Sequence, residues 1–182
     1  MPMPKLAPLA LIAALASPAL ASNPMVGGAP MFADKNIVEN AVNSADHTTL
    51  VAAVQAAGLV ETLMGPGPFT VFAPVNDAFA ALPAGTVETL LKPENKAMLA
   101  KVLTAHVVSG KLSGADLMAR GKRGKDGFVH LQTVSGDALS VQVRGNSLFV
   151  YSESRNIGRI TIADVNQSNG VIHVVDTVLV PK

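Results

Sequence analysis

The stretch that most limits what this chain can fold into is its last one, Asn169-Gly170-Val171-Ile172-His173-Val174-Val175-Asp176-Thr177-Val178-Leu179-Val180-Pro181. Strand alternation puts Val171, His173, Val175, Thr177 and Leu179 on one face and Ile172, Val174, Asp176, Val178 and Val180 on the other. Both faces are mostly apolar. A strand over 171–180 therefore has to be covered on both sides and sit centrally in a sheet. Asn169-Gly170 tolerates positive φ and provides the turn into it, and Pro181, which cannot donate to a ladder, marks its end.

The opposite end reads as a targeting segment. Lys5 gives a thin positive start, Leu6 to Ala16 is apolar, and Pro18 precedes Ala19-Leu20-Ala21, an A-x-A site for signal peptidase. The apolar run is shorter than the ~20 residues a membrane span needs. A signal peptide over 1–21, cleaved near Ala21-Ser22, predicts a secreted or periplasmic product. Without Lys5 the 13 remaining basic residues balance 13 acidic ones. Nucleic-acid binding needs a basic excess, so that class is excluded. The chain has no cysteine, which excludes disulfides, thiolate catalysis and a lipid-modified N-terminal cysteine. A product of about 160 residues is large enough for one packed domain.

Residues 22–34 carry Pro24, Gly27, Gly28 and Pro30 without periodicity and read as a flexible spacer. From Asn36 the spacing becomes helical. A short helix ends near Ser44-Ala45-Asp46; a second, capped by Asp46 or Thr48, presents Leu50, Val51, Val54 and Ala57 and stops at Gly58. Phe69 to Ala73 is a short strand, after which Asn76 or Asp77 caps a helical turn. Past Pro93, Met98, Leu99, Val102, Leu103 and His106 share a stripe that leads into Val107-Val108. A small helix is predicted around Gly114 to Ala119. Beyond Gly121 the period drops to 2, with strands at Val129–Val134, Ala138–Arg144, Ser147–Ser152 and Ile160–Val165 before the closing one. Helices first and an antiparallel meander after them is an α+β order.

Three segments carry a family resemblance. Thr70-Val71-Phe72-Ala73-Pro74-Val75-Asn76-Asp77-Ala78-Phe79 resembles the first signature of the fasciclin domain, T-V-F-A-P-T-N-D-A-F, with Val75 in place of threonine. Asn169 to Pro181 resembles the second, N-G-V-I-H-V-I-D-x-V-L-x-P. Between them, Leu103 to Gly110 is similar to L-x-Y-H-V-V-x-G, with Ala105 in place of tyrosine. The resemblance covers about residues 35–182. It implies a fasciclin-like wedge of two β-sheets with several short helices packed on it. It also implies an exported, non-catalytic adhesion or interaction module binding a cell-surface or matrix protein or an anionic polysaccharide, with no cofactor. The alternative is an envelope protein holding a small apolar ligand between sheet and helices; a hydrolase is the residual one.

Individual residues can be weighed on their surroundings. His173 lies mid-strand among valines, where a buried neutral ring bonded to backbone is expected. His106 ends an amphipathic helix and needs a partner, with Asp77 the first candidate; these three are read as structural. Arg120, Lys122, Arg123 and Lys125 crowd a Gly-rich loop, either a solvated loop or a landing site for acidic glycans. The Asp-Ile pair that some animal members use for integrin binding corresponds to Asp164-Val165, so these two and His106 join the basic residues as partner-binding candidates. His47 and His130 complete no metal-ligand spacing, and no nucleophile elbow, Walker loop or dinucleotide turn occurs.

Overall fold

The computed structural model describes residues 23–182, so the leader predicted over 1–21 and its cleavage point lie outside them. The closing strand, β9 (Gly170–Val175), is buried at every position. It lies between β3 (Phe69–Pro74), its parallel neighbour, and β8 (Ile157–Gln167), its antiparallel one. The seven strands of the main sheet run β4-β3-β9-β8-β7-β6-β5, where β4 is Val107–Ser109, β5 Phe128–Gln132, β6 Ala138–Arg144 and β7 Ser147–Ser152.

β8 makes this sheet a wedge. Its residues 157–159 pair with β7, whereas its residues 160–167 pair with β9 through two register shifts. Such bulges bend a strand and let it serve two sheet halves. The far edges nearly meet: Val108 bridges Thr133, and Val134 N–H donates to the Val107 carbonyl at 2.8 Å. Inside the wedge, Phe72, Val175 and Leu179 pack against Leu131, Val141 and Val150. The other face of β3 and β9, through Val71, Ala73, Ile172 and Val174, packs against the helices. These are α1 (Ile37–Ala41), α2 (Thr48–Ala57), α3 (Val60–Met64), α4 (Asn76–Ala80), α5 (Thr86–Leu90) and α6 (Lys96–Thr104).

Four local expectations are corrected. The closing strand ends at Val175 instead of Val180, because the Asp176 carboxylate accepts from the Arg159 N–H at 2.8 Å and the Thr177 hydroxyl at 3.0 Å and bends the chain. Val178 and Leu179 stay buried in irregular backbone. Residues 22–34 are not a free spacer where they are described. β1 (Met25–Val26) and β2 (Ala29–Pro30) form a hairpin that buries Val26 and Met31. Asn40 holds its exit, accepting from Phe32 N–H at 3.0 Å and donating to the Phe32 carbonyl at 2.7 Å and to Gln167.

Met98 falls off the α6 stripe and is exposed, while Leu99, Val102 and Leu103 are buried. α7 (Gly114–Arg123) continues through Gly121. A Cβ there would strike Val143, so the glycine lets the helix settle on β6.

Candidate functional site

The polar residues singled out by sequence fall into two groups, those the fold uses internally and those it leaves outside. His106 ends α6 and is buried; its ring lies 2.8 Å from the Val102 carbonyl through Nδ1, and its Nε2 accepts from the Leu179 N–H at 2.8 Å. The second bond requires an unprotonated Nε2, so the proton sits on Nδ1 and is donated to Val102. Burial pushes its pKa down to about 4 against the raising pull of that carbonyl. Asp77, predicted to be its partner, makes no such bond. It is exposed in the first turn of α4, where a carboxylate suits the helix dipole, and both His106 nitrogens are already taken.

His173 is fully buried in β9. Its Nε2 faces the Leu112 carbonyl at 2.8 Å and its Nδ1 accepts from the Asp164 N–H at 3.3 Å. Burial lowers its pKa as well, outweighing the Leu112 carbonyl and the Asp164 charge. Asp164 sits at a β8 bulge with φ +60, and its carboxylate accepts from the Gly114 N–H at 2.6 Å at the start of α7. Ser113 caps the same helix through a reciprocal box with Asp116, whose carboxyl pKa is lowered chiefly by the Ser113 hydroxyl. Val165 is buried against the helical core. Within the folded domain neither His106 nor Val165 is available to a partner, and the Asp164 carboxylate already holds a helix.

The basic residues are placed differently from the sequence reading. Arg120, Lys122 and Arg123 occupy the last turn of α7 instead of a loop; only Lys125 follows the helix. Arg123 Nε donates to the Ala119 carbonyl at 3.1 Å, and the cluster complements the negative end of the helix.

Three asparagines have roles that the sequence pattern does not give them: it makes Asn76 a cap of its own helix and Asn169 only a turn residue, and it assigns Asn40 nothing. Asn76 Oδ1 accepts from Thr49 N–H at 3.0 Å and from the Thr48 hydroxyl at 3.2 Å, so it caps α2 from a distance instead of its own helix. Asn169 Oδ1 accepts from Ile37 N–H at 3.1 Å, and its Nδ2 donates to Leu63 at 2.7 Å and Gly65 at 2.9 Å. Asn40 is the third. No spacing advertises such bonds, since each spans tens of residues or a change of element.

Two further features were unread. A narrow apolar hollow of about 70 Å³ lies under α1 to α3, lined by residues such as Val26, Ile37, Val54 and Leu63. His47 reaches it with Nδ1 2.9 Å from the Ser44 hydroxyl and Nε2 without a hydrogen bond. The Ala73 carbonyl acts on that ring only at longer range, and burial prevails, lowering its pKa. The second feature is the outward face of β5 to β7, where Phe128, His130, Phe149 and Tyr151 stand opposite the buried Val129, Leu131, Leu148 and Val150. Alternation alone could have found it. Among the described residues no three histidine, aspartate or glutamate side chains gather as a metal site would require, and no helix is long and apolar enough to cross a membrane.

These features define an α+β wedge whose buried polar side chains tie one part of the chain to another. The chain belongs to the fasciclin domain family, whose model matches residues 45–181. It is 50% identical to protein sll1483 of Synechocystis over 145 residues, 80% of this chain and 73% of that protein. It is 33% identical over 160 residues to the cell surface glycolipoprotein MPB83 of Mycobacterium bovis, covering 85% of this chain and 64% of that one. Among solved structures, a fasciclin domain pair from the insect cell adhesion molecule Fasciclin I superposes with a TM-score of 0.70 over 80% of this chain and 50% of that one. At 16% identity that likeness concerns the fold alone.

Proposed function

We propose that this chain is an exported, non-catalytic interaction module that binds a cell-surface, matrix or polysaccharide partner through its exterior. The observation that carries the reading is a filled interior. The apolar hollow of about 70 Å³ is several-fold smaller than the ~300 Å³ at the lower end of small-molecule pockets. His106 and His173 are held by backbone groups instead of facing a substrate cleft. A larger cleft, about 430 Å³ between α7 and β7–β8, lies open to solvent beside Asn146, Arg159 and Asp164, so what the fold offers a partner is its surface. The relatives fit this: one is a cell surface glycolipoprotein, and one solved neighbour belongs to a cell adhesion molecule.

Export rests on the leader over 1–21, and mass spectrometry of the secreted product tests it by finding Ser22 or a neighbouring residue at the N-terminus. The binding role is tested by incubating the purified protein with intact cells and with immobilised matrix and glycan panels. Saturable, competable retention is the expected result, and its absence from every surface overturns the reading. The alternative, a carrier of a small apolar ligand, has the orphaned His47 Nε2 in its favour. Native mass spectrometry of protein from its own host, showing a co-purified apolar molecule, would promote it.

A further inference from the structure

We infer that the outward face of β5 to β8 is a platform for an acidic polysaccharide, with sugar rings packed against the cluster of Phe128, Phe149 and Tyr151 and their carboxylates met by Arg144 and Arg159. This deepens, and rests on, the reading of the chain as a surface-binding module.

The register builds the platform. Phe128 pairs with Gln142, Gln142 with Phe149, and Phe149 with Arg159, so the four stand side by side on one face of four strands. The next row holds Ser140 and Tyr151 directly opposite each other. The chain has six phenylalanines and one tyrosine, and three of those seven rings are on this face, although the core behind it is already closed by valines and leucines. Packing does not require them there. The three rings are half-buried and the two arginines exposed, and aromatics grouped with arginine are the composition of binding surfaces.

The rings are held in place. Phe128 meets Tyr151 edge-on at 5.5 Å, and Arg144 lies over Phe149 at 5.1 Å and over Tyr151 at 5.9 Å. Gln142 Oε1 accepts from the Tyr151 hydroxyl at 2.8 Å and from Arg144 Nε at 2.6 Å. A surface ordered before binding loses less side-chain freedom when a ligand arrives. Arg144 also donates through Nη2 to the Tyr151 hydroxyl, which leaves chiefly its Nη1 side to meet a carboxylate. Among the described residues the one ion pair joins Lys101 to Asp137, so neither Arg144 nor Arg159 is neutralised by a carboxylate.

Size and charge choose the ligand. Four strands at ~4.8 Å spacing give a strip about 14 Å wide, and about six residues per strand at ~3.3 Å make it about 20 Å long. Its area of about 280 Å² is well below the ~800 Å² that a stable protein interface takes from each partner. A short run of sugar rings fits such a strip. The ring surface that Arg144 leaves uncovered attracts the weakly positive C–H faces of sugars, and the two arginines favour sugars that carry carboxylates. The basic end of α7 takes no part.

The test is binding of the purified protein to alginate, a polyuronate, at low and high salt, with neutral dextran and single-stranded DNA alongside. Three variants accompany it: Phe149→Ala with Tyr151→Ala, Arg144→Gln with Arg159→Gln, and Lys122→Gln with Arg123→Gln. Alginate should bind and dextran should not, and salt should weaken the interaction. Each of the first two variants should lose about tenfold or more in affinity, the third should not, and amide shifts in the unmutated protein should map to β5–β8. The arginine variant alters only exposed side chains, so it reports even if the aromatic one is unstable. Failure to bind alginate, retention unchanged in the face variants, or a preference for DNA overturns the inference. If cells or matrix are bound and alginate is not, this inference falls while the adhesion reading stands; if nothing is bound, both fall.

Discussion

Nε2 of His106 accepts a hydrogen bond from the backbone N–H of Leu179 at 2.8 Å, joining the end of α6 to a segment 73 residues later. The other nitrogen faces Val102 in the same helix, so one buried ring closes the helical layer onto the last buried residues of the chain. Leu179 has left the strand ladder by this point, and the imidazole stands in for the missing strand partner.

Replacing that ring should be costly. His106→Leu leaves the Leu179 N–H and the Val102 carbonyl unpaired in the core, at about 1–3 kcal/mol each. We expect a loss of about 2–4 kcal/mol by urea denaturation at neutral pH. A change below about 0.5 kcal/mol would show that the bond contributes nothing.

Acid should weaken the fold through the same residue. With a folded pKa of about 4 against 6.5 when exposed, the unfolded chain binds the extra proton between these values. Stability is then complete above about pH 6.5 and falls as pH drops toward 4, by about 3 kcal/mol across the window. His47 and His173 are lowered too and act in the same direction. Urea midpoints measured near pH 7 and near pH 4.5 check this, and the drop should shrink in His106→Leu.

Asn76 should behave as the cap of α2. Asn76→Ala removes the acceptor for Thr49 N–H and the bond to the Ala45 carbonyl, and should cost about 1–2 kcal/mol. Asn76→Asp loses the donor to the Ala45 carbonyl as well but keeps the acceptor for Thr49 N–H and adds a charge favourable at a helix start, so it should cost less than Asn76→Ala. Equal losses in the two variants would argue against capping.

Gly170 marks the tightest approach of β9 to β3. A Cβ there would strike the Phe69 carbonyl, backbone against backbone, so Gly170→Ala should lose more than about 3 kcal/mol or fail to fold. Gly28 has φ +76 and open space around it, and Gly28→Ala should cost only about 1 kcal/mol of backbone strain. Thermal melts of the two variants make the comparison.

The N-terminal hairpin can be tested through Met31, which is 2% exposed. Met31→Ala should cost about 2–4 kcal/mol, as for other buried methionines. Residues 22–34 would show no effect if they were a free tether.

The strand pattern after Gly121 was legible because a two-residue period is written locally, and β6 and β7 begin and end where alternation places them. The same alternation carries the half-buried aromatics of the outward face, but alternation does not distinguish a ring that packs from one that faces a partner. The hairpin around Val26 was lost for the opposite reason: its glycines and prolines look like a tether, and only docking against α1 gives them structure.

The sequence by itself determined that the last strand is interior, that helices precede a meander, and that no thiol chemistry is available. Hydrophobic period and residue type act over a few neighbours, and the chain states them directly. Only the tertiary structure decided that His106 meets Leu179 and not Asp77, that Asn76 caps a helix other than its own, and that Phe128, Phe149 and Tyr151 share one face with Arg144. Those contacts depend on which strands become neighbours and in what register, a choice made by packing the whole domain at once.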